Sequence, residues 1–182
     1  MVVLSILIAS TASRKEMLDI LLKGLIHQCG SEVEILIDDH ETNCIGKKRN
    51  DLLARANGEW QVAIDSDDII SEDYVSKILE ALKFNPDCVG ISGLITTDGR
   101  NERQWHISKE FGSWYERDLI YFRTPNHISP IRTSIARRVG FPEIAFGEDA
   151  EFSKRVLPLL KSEIIAEGNI YHYRFIRNKN GK

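Results

Sequence analysis

The sequence predicts an α/β domain, a mostly parallel central sheet flanked by helices, on two observations. Apolar runs of strand length alternate with segments of helical period through the first half of the chain. Two of those runs, the second and the third, stop abruptly in clustered carboxylates. With 182 residues the chain is long enough for one sizeable core and short for two, so a single domain is expected.

The elements follow in order. Residues 2–9 form an apolar run that reads as a first strand buried on both faces. It lacks the basic flank of a signal peptide and is too short to cross a bilayer. Ser13-Arg14-Lys15-Glu16 has the form of a capping box, and Met17, Ile20, Leu21, Gly24 and Leu25 continue at helical spacing. Residues 32–37 form a second strand that runs into Asp38-Asp39. A helix over 46–57 places Leu52, Leu53 and Ala56 on one face and stops at Asn57-Gly58. Residues 61–64 form a third strand. Ser71 caps a helix with Glu72 and Asp73 in its first turn and Val75, Ile78, Leu79 and Leu82 inside. Residues 88–95 form a fourth strand.

The second half is less regular. Residues 96–124 read as loops or short antiparallel strands carrying Trp105, Trp114, Tyr115, Tyr121 and Phe122. Short helices are expected over 133–139 and 148–157, the latter ending near Pro158. Late strands follow at 164–165 and 170–176, and the polar tail 177–182 is expected to fray. Net charge of −3 gives no global drive toward nucleic acid or an anionic membrane. Three widely spaced cysteines, Cys29, Cys44 and Cys88, are expected to be reduced thiols of a cytoplasmic protein.

Chemistry concentrates in Asp65-Ser66-Asp67-Asp68, directly after the third strand. Ligands of open α/β sheets bind outside the carboxyl ends of the strands. Acids crowded there repel one another unless a proton or a hard divalent ion such as Mg2+ or Mn2+ intervenes. A polar turn is the plain alternative. Three features weigh against it. Asp38 and Asp39 end the neighbouring strand. Lys47-Lys48-Arg49 follows Gly46 at a helix start, where anions are favoured. Glu148-Asp149 opens a late helix. Together they suit a ligand with a base, a sugar and a diphosphate, although each has a structural alternative as a solvated or dipole-complementing charge.

In this constellation the sequence resembles the family 2 glycosyltransferases of the GT-A fold. Residues 4–12 resemble the family's first strand and nucleotide loop, and Glu34-Ile-Leu-Ile-Asp-Asp39 its second strand with a base-contacting acid. Lys48-Arg49-Asn50 and 54–60 resemble the helix that leads to the metal motif. Asp65-Ser66-Asp67-Asp68 resembles the DxD signature, 135–143 the segment before the base motif, and Gly147-Glu148-Asp149 the ED motif. Two departures stand out. His40-Glu41 occupies the place of Gly-Ser, and Ala9-Ser10-Thr11-Ala12 replaces Pro-Thr-Tyr-Asn.

The resemblance implies one catalytic domain over 1–182, with a nucleotide-binding half (1–95) and an acceptor-side half (96–182). It implies a metal-dependent, inverting transfer from a nucleotide-sugar, a UDP-sugar by preference, to an acceptor hydroxyl of undetermined class. Asp149 is then the general base, with Glu148 as the alternate or the orienting acid. Asp67 binds Mn2+ or Mg2+, Asp65 and Ser66 lie by the ribose and metal, and Ala9 and Thr11 belong to the nucleotide loop. Asp39 accepts the uracil N3–H, and Lys48 or Arg49 balances the diphosphate. Asp68 assists nearby or caps the next helix. His172 falls where related enzymes complete the metal shell, against a structural role in its strand. His127 lines the acceptor side or packs a turn. Arg132 contacts phosphate or pairs with a carboxylate, and Trp105, Trp114 and Tyr115 fall on the acceptor side. A nucleotidyltransferase and a non-catalytic sugar-nucleotide-binding subunit are the competing readings. The first lacks a glycine-rich phosphate loop, and the second has no need of the ED acids.

Overall fold

A computed structural model of the chain describes residues 1–41, 44–144 and 146–176. The tail expected to fray lies outside them. Among the described residues the strands are β1 (Leu4–Ala9), β2 (Val33–Asp38), β3 (Trp60–Ala63), β4 (Ile69–Ile70), β5 (Cys88–Thr97), β6 (Arg100–Ile107), β7 (Tyr115–Arg117), β8 (Ile120–Arg123), β9 (Ile131–Arg132) and β10 (Glu163–Phe175). The helices are α1 (Lys15–Ile26), α2 (Ile45–Arg55), α3 (Tyr74–Leu82), α4 (Thr133–Val139) and α5 (Glu148–Val156).

One sheet runs in the order β2-β1-β3-β9-β5-β6-β8-β7, with β10 alongside β5 and β4 on β10. Strands β2, β1 and β3 are parallel, as is β10 on β5. The segment 96–124 contributes the antiparallel hairpins β5–β6 and β7–β8. The α/β architecture therefore holds, with β1–β3 parallel and the rest of the sheet mixed.

Alternation along β1 explains its burial on both faces. Leu4, Ile6 and Ile8 join the core beneath α1 and α3, while Leu7 and Ala9 join the core beneath α2, α4 and α5. Trp60, Val62 and Ile64 face the first core and Ala63 the second. All three parallel strands end on the same rim, so Ala9, Asp38 and Asp65 arrive together.

Several local expectations change. Ser13 does not cap α1. Its Oγ lies 2.9 Å from Thr11 Oγ1, and a 3-10 turn over Ala12–Arg14 leads into the helix. The buried face of α1 is Leu18, Leu21 and Leu25, with Ile20 turned out. The 3-10 turn advances the helix start and rotates its inner face. Ser71 does not cap α3 either. Its Oγ donates to Asp73 Oδ1 at 2.6 Å, and the helix begins only at Tyr74. The two late strands are one, β10, with register shifts between Ile165 and Tyr171, around a left-handed Gly168 (φ +86°).

Two glycines set the approach of α5 to α2. A Cβ at Gly46 would lie 1.9 Å from the Pro142 carbonyl oxygen, so only glycine admits that contact. Gly147, at φ +82°, is the N-cap of α5 and turns the chain so that Glu148 and Asp149 open the helix.

Candidate active site

The rim of the parallel strands borders a cavity of about 990 Å3, lined from both halves of the chain by Thr11, Lys48, Asp65, Asp67, His127 and Asp149 among others. Ala9, Arg49 and Glu148 line it as well. Lys48, Arg49, Asp65, Asp67, Glu148 and Asp149 are therefore gathered in one place, while Asp38, Lys47, Ser66 and Asp68 lie off its wall and three more candidates are exceptions.

Asp65 is the centre of the arrangement. Arg49 Nη2 donates to its Oδ1 at 2.9 Å, and His127 Nε2 lies 3.2 Å from its Oδ2. Burial alone would raise the Asp65 carboxyl, but the charges of His127 and Arg49 outweigh it and hold the group far below the ordinary carboxylate range. Arg49 also donates through Nη1 to Glu148 Oε1, in a bond whose partners are both buried. On the other flank His127 Nδ1 lies 4.0 Å from Asp149 Oδ2. The result is an alternating chain, Glu148–Arg49–Asp65–His127–Asp149, that ties the third strand to the start of α5. His127 belongs to that chain.

Asp67 and Asp68 diverge. Asp67 faces the cavity, where Arg14 Nη1 reaches its Oδ1 at 3.2 Å and Arg174 Nε donates to its carbonyl at 2.6 Å. Burial raises the Asp67 carboxyl, Arg14 lowers it and Asp65 raises it again, leaving it above its usual value. Asp68 turns away from the cavity and neither caps α3 nor faces a ligand. Its Oδ2 accepts from the Tyr171 hydroxyl at 2.7 Å and its Oδ1 from the Arg174 amide at 2.8 Å, which fastens β10 to the acidic loop. Burial, and then the charge on Asp65, push Asp68 up to about 8, so it holds its proton at neutral pH.

The basic trio separates by burial. Lys47 is a solvated residue paired with Asp51 at 2.6 Å. Lys48 is buried, donating from Nζ to the Ser10 carbonyl and lying 4.0 Å from Asp38 Oδ1. Arg49 is committed to the two acids described. Ser66 is buried beside them, its Oγ without a hydrogen-bond partner among the described residues. Ser10 Oγ, Arg49 Nε and His127 Nδ1 share that state, so unsatisfied polar atoms collect at this rim.

The exceptions are Asp39, His172 and Arg132. Asp39 is exposed at the end of β2 and is not part of the cavity wall, whereas Asp38 faces Lys48 and His40. His172 sits on β10 between Tyr171 and Tyr173. Tyr171 points at Asp68 and Tyr173 lines the cavity, so strand alternation turns His172 to the opposite face, where Nε2 lies 3.0 Å from Thr96 Oγ1. The structure does not bring His172 to Asp67. Arg132 is paired with Glu59 and with Asp87, at 3.5 Å from the latter, at the far end of the sheet.

The donor set suits a hard divalent ion in one respect. Asp67 offers a cavity-facing carboxylate made costly to ionise by burial and Asp65, which a cation would relieve. Among the described residues no group of three His, Cys, Asp or Glu side chains gathers to hold a metal. A divalent ion at Asp67 would have one or two donors from the described residues, a pattern that suits ions that keep water and substrate phosphate oxygens as ligands.

Sequence reasoning missed Arg14, Arg174, Tyr171 and Tyr173. The spacing of Tyr171, Tyr173 and Phe175 is a strand alternation, and it places these side chains on the face away from His172. No described helix is long and apolar enough to cross a membrane.

Residues 6–146 match the family described as Glycosyl transferase family 2, a span that includes Asp65-Ser66-Asp67 and stops short of Glu148. No curated protein matches the chain in sequence. Among solved structures, the chain is similar to TarS of S. aureus (1–349) in complex with UDP-GlcNAc. The TM-score is 0.71 at 14% identity, over 97% of this chain and 60% of that one. The same protein in complex with UDP gives 0.72 at 17% identity, over 94% and 60%. A longer TarS structure gives 0.74 at 19% identity, over 94% of this chain and 36% of that one. The chain thus spans at most 60% of these relatives, and the likeness is one of fold. With the family match covering most of the sequence and the GT-A sheet on view, the chain belongs to glycosyl transferase family 2.

Proposed function

We propose that the chain transfers a sugar from a UDP-sugar to an acceptor hydroxyl with inversion, using Asp149 as general base. The observation that carries this is the linkage of Asp149 and Glu148, at the start of α5, to Asp65 across one cavity. A donor sugar seated at the rim presents its anomeric carbon between the two sets of acids. The TarS complexes hold UDP-GlcNAc and UDP, which supports a uridine nucleotide for this chain.

Asp149 lies in the first turn of α5, with its carboxylate 4.0 Å from His127 Nδ1. The acceptor oxygen attacks the anomeric carbon as its proton passes to an Asp149 carboxylate oxygen. The bond from that carbon to the diphosphate oxygen breaks on the opposite side, and the pair of electrons leaves with UDP. Attack opposite the leaving group inverts the centre. Glu148, buried and bound to Arg49, orients the start of the helix. Lys48 offers a buried positive charge between the ends of β1 and β2, where the diphosphate would lie. Asp67 would hold Mn2+ or Mg2+, which neutralises charge on the departing diphosphate when bound. Asp39 keeps a role at the uracil only with movement of the loop that follows β2.

The test is Asp149→Asn. With UDP-GlcNAc as donor and water or a hydroxyl acceptor, its rate of UDP release should fall ~10²–10⁴-fold while UDP affinity stays near that of the wild type. A rate within a few-fold of wild type would remove Asp149 as the base, and a larger loss in Glu148→Gln would reassign the role.

A further inference from the structure

We propose that the acceptor carries a phosphate or carboxylate group near the hydroxyl that receives the sugar, and that Arg123 grips it. The proposal rests on the glycosyl-transfer reading above and adds to it the chemical class of the acceptor.

Arg123 ends β8 on the acceptor side of the cavity that holds Asp149. Its guanidinium lies 5.0 Å from the ring centroid of Trp114 and 5.0 Å from that of Tyr121. Nη1 donates to the carbonyl oxygens of Tyr115, at 3.1 Å, and Phe122, at 3.0 Å. These contacts fix the plane of the group and use one nitrogen. Nε and Nη2 have no hydrogen-bond partner among the described residues. They are the adjacent pair of donors that meets two oxygens of a carboxylate or phosphate side by side.

The charge balance points the same way. Arg14, Lys48 and Arg49 are paired with carboxylates on the donor side, with Asp67, with Asp38, and with Asp65 and Glu148, and Arg174 is turned there to the Asp67 carbonyl. Arg123 has no carboxylate within salt-bridge reach among the described residues. Glu116 and Asp149 act on it only at longer range, and Glu116 is already bound by Arg103. Burial pushes the Arg123 pKa down and outweighs the charges of Tyr121, Glu116 and Asp149, which marks a charge partly stripped of water. A preorganised, unpaired fork beside the proposed base has the chemistry of an oxyanion site.

Trp114 supports the same reading. Its Nε1 donates to Thr124 Oγ1 at 3.0 Å, which holds the ring in place, and 38% of the residue stays exposed. A fixed aromatic face beside a guanidinium suits a sugar or polyol that bears an anion. Without Arg123, an anionic acceptor would meet only the negative side of Asp149.

The experiment compares three ligands of one ring: glucose, glucose 6-phosphate and glucuronate. Each is titrated onto the protein saturated with UDP and Mg2+, with binding followed by ligand-observed NMR and calorimetry. At least one anion should bind tenfold or more tightly than glucose. Phosphate alone or carboxylate alone would identify the source of the charge. Arg123→Met keeps the stem between the aromatic rings and should erase the preference. Arg123→Lys keeps the charge without the fork and should retain only part of it. UDP affinity of each variant reports whether the donor site is intact. Equal affinities for the three ligands, no detectable binding of either anion, or a preference that survives in Arg123→Met would overturn the proposal. Absence of UDP binding by the wild type would instead remove the donor reading on which it stands, and the UDP titration shows that separately.

Discussion

Replacing Arg49 by Met removes the buried cation that two acids share. The Arg49 side chain is 5% exposed and that of Glu148 8%, so the variant leaves a carboxylate at Glu148 with neither partner nor water. Asp65 keeps His127 but loses its other neutralising charge. Removing one member of a buried ion pair costs roughly 3–5 kcal/mol. For a chain of this size that corresponds to a fall in Tm of about 6–20 °C, at ~2–4 °C per kcal/mol. Met fills the aliphatic volume and keeps the contact with Phe141, whose ring centroid lies 5.6 Å from the guanidinium carbon, so packing loss is small. The Asp65 pKa is depressed in the folded state, so its contribution to stability is full above the unfolded carboxylate value of ~4 and is lost as pH falls through the lower folded value. The part of the Arg49→Met penalty that comes through Asp65 is therefore complete at pH 7 and shrinks below ~4. Calorimetric unfolding of wild type, Arg49→Met and the double variant Arg49→Met/Glu148→Gln is the assay. The double variant should recover at least half of the loss, because it removes the stranded charge. A loss below about 1 kcal/mol, or a double variant no better than the single, would refute the claim that this pair is a desolvated ion pair joining the two halves.

Two further outcomes are expected. Asp67→Ala should abolish the enhancement of UDP affinity by Mn2+ in calorimetry while leaving the fold intact by circular dichroism; an unchanged metal effect would place the ion elsewhere. Asp68 is raised to about 8 in the folded state, so the unfolded chain sheds this proton first and the wild type loses stability as pH rises from about 4 to about 8. Asp68→Asn removes that slope, and its stability relative to wild type should grow over the same interval; parallel curves would show that Asp68 is ionised.

The parallel strands were legible because β1 and β3 are buried on both faces and β1, β2 and β3 end on one rim, so an apolar run followed by acids reports position. The pairing of Leu52, Leu53 and Ala56 with the second core was equally direct. What the sequence concealed is the direction of side chains whose partners are distant along the chain. His172 looked like a metal ligand because it follows the ED helix. Its face is decided by Tyr171, whose hydroxyl is drawn to Asp68, 103 residues away. Arg14 reads as part of a capping box until the 3-10 turn swings it toward Asp67. Asp38 ends β2 and Asp39 follows it, and which of the two Lys48 faces is not written in their adjacency. Of the strands at 96–124, β7 and β8 are short and show no clean alternation of buried and exposed residues, a pattern that short segments share with loops.

The contact at Gly46 has a consequence for how acceptor preference can change. There the first turn of α2 meets the Pro142 carbonyl backbone to backbone, with no side chain between. The distance from α2 to the segment entering α5 is therefore set by the main chain and is indifferent to which side chains decorate that segment. Ile144 and Phe146, both exposed, take no part in that contact, so exchanging them would leave the reach from Arg49 to Glu148 the same. Position 46 itself has no such freedom, since any side chain there acts as a wedge that drives the acids of the two halves apart. A hinge that only glycine can occupy thus separates the part of the molecule free to diversify from the part that must keep its spacing.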